Sequence, residues 1–272
     1  ALQVELKKKM SSGFQLQTSY TWSKAVDDST TGVANTDYNE GSASQAYLTK
    51  ADRGLSALHV GQNLVVNGIW EIPSAFDSGI GKYVLGGWQL SSIFRAKSGT
   101  PFSVKVTSRN APDQSRGANL QRPELAPGRS FDNITSGTTA GCGTGAGSIP
   151  AGQQLGTTSR YYDPCAFLRP PTPVGFAAGS GYFGNLGRNT LTGPGLVNFD
   201  FSLSKSVPLG WGEDSEIKFQ ADAFNIFNRN NLGLPATGAL NPVTNAYVAE
   251  TGRINTQATR PRQMQFGLKL IF

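Results

Sequence analysis

The last eleven residues, Arg262 to Phe272, constrain the chain most. Met264, Phe266, Leu268, Leu270 and Phe272 fall on one face of an extended segment, and Gln263, Gln265, Gly267 and Lys269 fall on the other. Only Ile271 is out of pattern. About 9–11 residues suffice to cross a bilayer as a tilted strand. One apolar and one polar face is the pattern of a wall between lipid and a wet lumen. This ending predicts an outer-membrane β-barrel strand, and the rest of the chain tests it.

The same alternation recurs. Leu2, Val4 and Leu6 alternate with Gln3, Glu5 and Lys7, giving a strand over about 1–10. After a short Ser11-Ser12-Gly13 turn, Phe14, Leu16, Thr18, Tyr20 and Trp22 mark a second strand. A third is expected over about 57–72, and a fourth from Trp88 onward, with the chain extended to about Thr107. The fifth spans Leu196 to Pro208, the sixth about 215–228, and the seventh closes the chain. The connections run short, long, medium, long, short, long. That is the order of short periplasmic turns and long extracellular loops, if Phe272 ends on the periplasmic side. Compact domains seldom carry loops beyond about 12–15 residues. The fold class expected is therefore all-β: an antiparallel transmembrane barrel fragment of about seven strands.

Charge placement agrees. Lys or Arg at mid-membrane on the lipid face costs ~2–4 kcal/mol. By parity Glu5, Arg95, Asp200, Lys218, Asp222 and Lys269 all point to the lumen. Lys8 and Lys205 have lipid parity but sit at expected periplasmic strand ends, where they can reach headgroups. Hydrophobic content is 38 %, and no run approaches the roughly 18 apolar residues of a membrane helix. A barrel needs no such run, because only alternate residues meet lipid.

The net charge of +6 could suggest nucleic acid, but the basic residues build no single stripe. Solvated rims or anionic headgroups explain them more simply, and no nucleic-acid partner is expected. Cys142 and Cys165, the only cysteines, share one Gly- and Pro-rich stretch. That suits a local disulfide in an oxidising compartment; two free thiols are the alternative.

Catalytic and cofactor signals are weak. His59 is the only histidine, and no G-x-S-x-G elbow accompanies it, so it reads as a strand-edge or rim residue. Gly141 to Gly147 is glycine-rich but lacks the Lys-Ser/Thr ending of a phosphate loop. Asp27-Asp28 and Asp37 to Glu40 lack the spaced ladder of a dedicated Ca²⁺ loop. Tyr38, Tyr47, Tyr161, Tyr162 and Tyr247 could stack on a ligand or anchor the loops to one another. No cofactor, metal site or enzymatic activity is expected.

Several segments carry a family resemblance. TSYTWSKAVDDST (18–30), ADRGLSALHVGQNLVVNGIWEIP (51–73) and GWQLSSIFRAKSGTPFSV (87–104) resemble barrels of TonB-dependent outer-membrane receptors. So do GNLGRNTLTGPGLVNFDFSLSKSVPL (184–209), FQADAFNIFNRNN (219–231) and RQMQFGLKLIF (262–272), with the Oar-like subgroup nearest. The resemblance implies a barrel of about 22 strands around an internal plug, energised through a TonB-type partner. Residues 1–272 would then be the C-terminal portion of that barrel, with plug and TonB-contacting segment upstream. The chain opens on Ala1 and reads as strand from Leu2, without a signal-peptide h-region, which fits that expectation. His59 stands where the family pattern suggests an acidic or polar residue. Phe272 resembles the aromatic end by which assembly machinery recognises such barrels. The function implied is energy-coupled uptake of a bulky solute across the outer membrane of a Gram-negative bacterium. A passive porin or a barrel adhesin are the alternatives.

Overall fold

A computed structural model describes residues 1–28, 53–74, 76, 78–107, 120–171, 184–210, 215–241 and 246–272. Seven long strands form one sheet: β1 (Leu2–Ser11), β2 (Phe14–Trp22), β3 (Gln62–Glu71), β4 (Trp88–Lys97), β5 (Leu196–Pro208), β6 (Glu216–Phe224) and β7 (Gln263–Ile271). Each strand pairs antiparallel with its sequence neighbour, so strand order equals chain order. The strands are 9 to 13 residues long, enough to cross hydrocarbon at a tilt.

The meander starts the connections after β1, β3 and β5 at one end of the sheet, and those after β2, β4 and β6 at the other. The first connection is a two-residue turn, with Ser12 at φ 51° and Gly13 at φ 75°. Both positive values are what a tight hairpin of this hand demands. A Cβ on Gly13 would also lie 2.6 Å from the Glu71 carbonyl oxygen. The backbone approaches that closely because Glu71 N–H donates to Gly13 O at 2.7 Å.

Register carries each face across the sheet. One apolar row is Val4, Tyr20, Leu64, Ala96, Val197, and the next is Leu6, Thr18, Val66, Phe94, Phe199. Further along come Phe14, Trp70, Leu90, Leu203, Ala221, Phe266. The opposite face carries rows such as Lys7, Gln17, Asn67, Ile93, Asp200. In water the apolar face would be an aggregation surface. Leu6, Leu268, Phe266 and Met264 are all more than 60 % exposed, so protein does not cover it.

Three boundaries differ from the sequence reading, and one connection carries a helix. β3 begins at Gln62 rather than near residue 57, because Ser56 and His59 turn the chain through the His59 N–H to Ser56 O bond. β4 stops at Lys97. Gly99 then crosses Gly193 so closely that a Cβ would lie 1.8 Å from its carbonyl oxygen, and Pro101 has no N–H to extend the ladder. β6 ends at Phe224, because Asn225 and Asn228 adopt left-handed φ of 51° and 50°. The connection over 73–87 contains a seven-residue helix, α1 (Gly79–Leu85). Lys205 Nζ and Trp88 Nε1 both donate to Val84 O at its C-terminus, at 3.1 and 3.0 Å.

In the long connection between β4 and β5, the described residues 98–107, 120–171 and 184–195 contribute to a folded cap. Its core includes Phe102, Ile134, Tyr162, Phe167, Leu191 and Leu240, each no more than 3 % exposed. Gly238–Leu240 pairs parallel with Lys105–Thr107, which in turn pairs antiparallel with Leu120–Gln121. Two of the long connections are thereby fused into one body. Among the described residues this buried hydrophobic cluster therefore lies in the loops and not in the sheet.

Candidate functional site

Two surfaces can carry function: the polar face of the sheet and the cap above it. The register places Arg95, Asp200, Lys218, Asp222 and Lys269 on the same face. Arg95 lies in the row Glu5, Ser19, Val65, Arg95, Asn198. Asp222 lies between Ser202 and Gln265. Lys218 lies between Ser206 and Lys269, two cations side by side. Gln17 Nε2 donates to Glu5 Oε1 at 2.8 Å, and Gln220 Nε2 donates to both Asp222 oxygens at 2.9 and 3.0 Å. Asp200 Oδ1 accepts from Asn198 Nδ2 at 2.7 Å and from Asn225 N–H at 2.9 Å. The face is thus a hydrogen-bonding surface of mixed charge, without an excess of one sign.

The lysines on the apolar parity behave as their position requires. Lys8 Nζ donates to Phe14 O at 3.0 Å, beside the hairpin, and lies 4.9 Å from the Phe14 ring centre. Lys205 lies 5.0 Å over Trp88 and also donates to Gly86 O. Both ammonium groups bend toward the short-turn end, where backbone carbonyls receive them.

In the cap, Cys142 and Cys165 are joined by a disulfide, their Cα atoms 5.5 Å apart. Asp163, fully buried, organises both cysteine segments. Its Oδ2 accepts from Arg129 Nη2 and from Ala140 N–H at 3.2 Å, and its Oδ1 accepts from Cys165 N–H at 3.0 Å. A buried carboxylate is tolerated because it is paired and hydrogen-bonded. Arg160 Nε donates to Gln153 Oε1 at 3.0 Å, and its Nη1 to Ala249 O at 3.3 Å and to Thr251 O. It thereby ties one long loop to another, and burial lowers its pKa from the ordinary arginine value. Arg188, also buried, pairs with Asp27 and donates to Asp27 O at 2.6 Å, linking a third loop. Sequence reasoning missed Asp163, Arg160 and Arg188. Lone charges among Gly and Ser look like solvated loop residues, and only the tertiary pairing distinguishes them.

The aromatic loop residues hold the cap together. Tyr162 is fully buried, and its hydroxyl donates to Ala236 O at 2.7 Å. Tyr161 donates to Thr192 O at 2.9 Å, and Tyr247 to Phe167 O at 3.3 Å. Burial raises the pKa of Tyr161 and of Tyr247. Tyr38 and Tyr47 lie outside the described residues, as do Asp37 and Glu40. Asp27 is engaged by Arg188, and the described residues contain no group of three or more acidic, His or Cys side chains placed to hold a metal. Gly141 to Gly147 runs from one arm into the tip of a small hairpin: Cys142 and Ile149 exchange backbone bonds at 3.0 and 2.7 Å, and Gly145–Gly147 form a 3-10 turn between them. His59 Nδ1 accepts from Ala25 N–H at 3.2 Å, a rim contact between loop ends. Phe272 follows β7 and is 95 % exposed.

Comparison with known proteins adds one finding. The family model described as outer membrane beta barrel domain matches residues 1–265. No curated protein and no solved structure matches the chain.

Proposed function

The chain belongs to the outer membrane beta barrel domain family, and on that premise we propose that it is the barrel wall of a TonB-dependent receptor, energised for uptake of a bulky solute. It resides in the outer membrane, and its sheet is the antiparallel wall such a protein needs. The observation that carries the finer reading is the polar face. Arg95, Asp200, Lys218, Asp222 and Lys269 offer both signs of charge among amides and hydroxyls, the surface an internal plug docks against. The six segments that resemble Oar-like receptors support the same reading.

The wall forms two edges. Among the described residues β1 pairs only with β2, and β7 only with β6. Hydrocarbon tolerates no open edge, so each must be covered by another strand. In our reading the remainder of a larger barrel covers both, a plug domain fills the lumen, and a TonB-type protein drives it. The cap captures solute, Phe272 is the assembly signal, and no bond is made or broken.

Planar-bilayer conductance of the intact protein separates this from a porin. A plugged receptor stays closed to small ions until mild denaturant expels the plug. A steady open conductance in native buffer means a porin, and the energy-coupled reading falls.

A further inference from the structure

The outward face of the wall has a notch. β5 begins at Leu196, but its pairing with β6 begins only at Phe201 opposite Ala223. Residues 196–200 pair with β4 on one side and, among the described residues, with no strand on the other. The segment after β6 satisfies their backbone. Ile226 N–H donates to Phe199 O at 3.0 Å, and Val197 N–H donates to Asn231 Oδ1 at 3.0 Å. The left-handed turns at Asn225 and Asn228 fold that segment back, which brings the Phe227 ring within 5.5 Å of Phe199.

This leaves a cavity of about 450 Å³ lined by Phe94, Val197, Phe199, Asn225, Phe227 and Arg229. A second cavity of about 440 Å³ shares Val197 and Arg229 with it and runs along Tyr20, Leu64 and Ala96. Together they form a trough along two rows of the lipid-parity face, apolar around Phe94, Phe199 and Phe227 and more polar toward Gln62, Lys97 and Ser98. Phe227 is 77 % exposed at its lip. Arg229 stands at the junction. Its backbone N–H donates to Asn225 Oδ1 at 2.9 Å, while its guanidinium is exposed and has no acidic partner among the described residues. Arg260 and Arg262 lie on the neighbouring strand-end: Asn225 Nδ2 donates to Arg260 O, and Arg262 N–H to Asn228 Oδ1. The place is therefore apolar below, cationic above, at the long-loop end of the membrane wall.

We propose that this trough holds one phosphorylated acyl glycolipid of the outer leaflet, of the lipid A class. An acyl chain lies along Phe94, Phe199 and Phe227, and a phosphate sits on the Arg229 guanidinium. An unpaired arginine fork suits phosphate geometry, and basic pockets at membrane faces bind anionic headgroups. The trough is continuous with the lipid-facing wall, so its occupant comes from the same leaflet. The inference rests on the assignment of this face to lipid and of the long loops to the cell exterior.

The test is native mass spectrometry of the intact protein extracted from outer membranes in mild detergent. The wild type retains a lipid A-class molecule. Arg229→Gln lowers the retained fraction roughly five-fold, the loss expected for one headgroup-binding cation, and Phe227→Ser lowers it through lost apolar contact with the acyl chain. Arg253→Gln, on the exposed cap surface, leaves it unchanged. Heat-modifiable gel migration verifies that each variant is folded. Equal retention by both trough variants, or co-purification of phospholipid alone, overturns the proposal. A cysteine at Phe199 separates the two levels of failure. If a lipid-soluble maleimide labels it but retention is unaffected by the variants, only the glycolipid site falls. If only a water-soluble reagent labels it, the face assignment itself falls.

Discussion

Gln220 and Ala221 are adjacent in β6, yet their side chains meet different surroundings. Ala221 sits between Leu203 and Phe266 on the apolar face, and Gln220 between Ser204 and Gly267 on the polar one. Ala221→Arg should destabilise the folded wall by ~2–4 kcal/mol, as a cation facing mid-membrane lipid does. Gln220→Arg should change it by less than about 0.5 kcal/mol, as surface substitutions do. Urea-induced unfolding in lipid vesicles reads the difference; equal effects would refute the face assignment. In the cap, Phe102 is fully buried against Tyr161 and Tyr162 at ring distances of 6.5 and 5.9 Å. Phe102→Ala should cost the cap about 3 kcal/mol, seen as faster hydrogen exchange in the loops and not in the wall. Tyr161 and Tyr247 have pKa values raised by burial, so the unfolded cap sheds these protons first. Cap stability is therefore unaffected by them below about pH 10 and falls as pH rises beyond that. Limited proteolysis of the loops across pH 8 to 11 should show protection lost only in the alkaline range.

The elements that were legible in the sequence are those with a period. Each wall strand alternates, so existence, order and facing could be read from residues such as Leu2, Val4 and Leu6 or Met264, Phe266 and Leu268. Strand ends were less legible, because they depend on events without a pattern: the Gly99–Gly193 crossing and the left-handed Asn225. The seven-residue α1 was missed for the same reason, being too short to display a helical period. Most of the cap was not legible. Phe102, Val104 and Val106 alternate, but nothing local says what they pack against. Ile134, Phe167 and Leu240 come from segments far apart in sequence, and none shows a repeat of 2 or 3.6. The cysteines were the one local hint of order there. Their bond spans a separation of 23 residues, and a loop of that size is worth about 3 kcal/mol. Reduction should therefore loosen the cap while heat-modifiable migration of the wall stays as it was. A wall that unfolds on reduction would mean that the two bodies are one cooperative unit.

At the scale of the molecule, the family membership and the seven-stranded sheet agree on an antiparallel outer-membrane barrel wall, and the described loop residues pack into a cap beside it. Both edges are exposed along their length: every residue of β1 is exposed, as is all of β7 except Ile271. Residues 1–272 inserted alone into vesicles should not give a heat-stable, protease-resistant barrel; a stable one would mean that the sheet closes on itself. The central claim is that alternate residues of the wall face lipid and water. Single cysteines placed along β7 of the intact protein, in native outer membranes, test it most directly. The native cysteines are bonded and silent. Lipid-soluble maleimide should label positions 264, 266, 268 and 270, and water-soluble maleimide positions 265, 267 and 269. Uniform labelling by the water-soluble reagent would contradict the membrane wall.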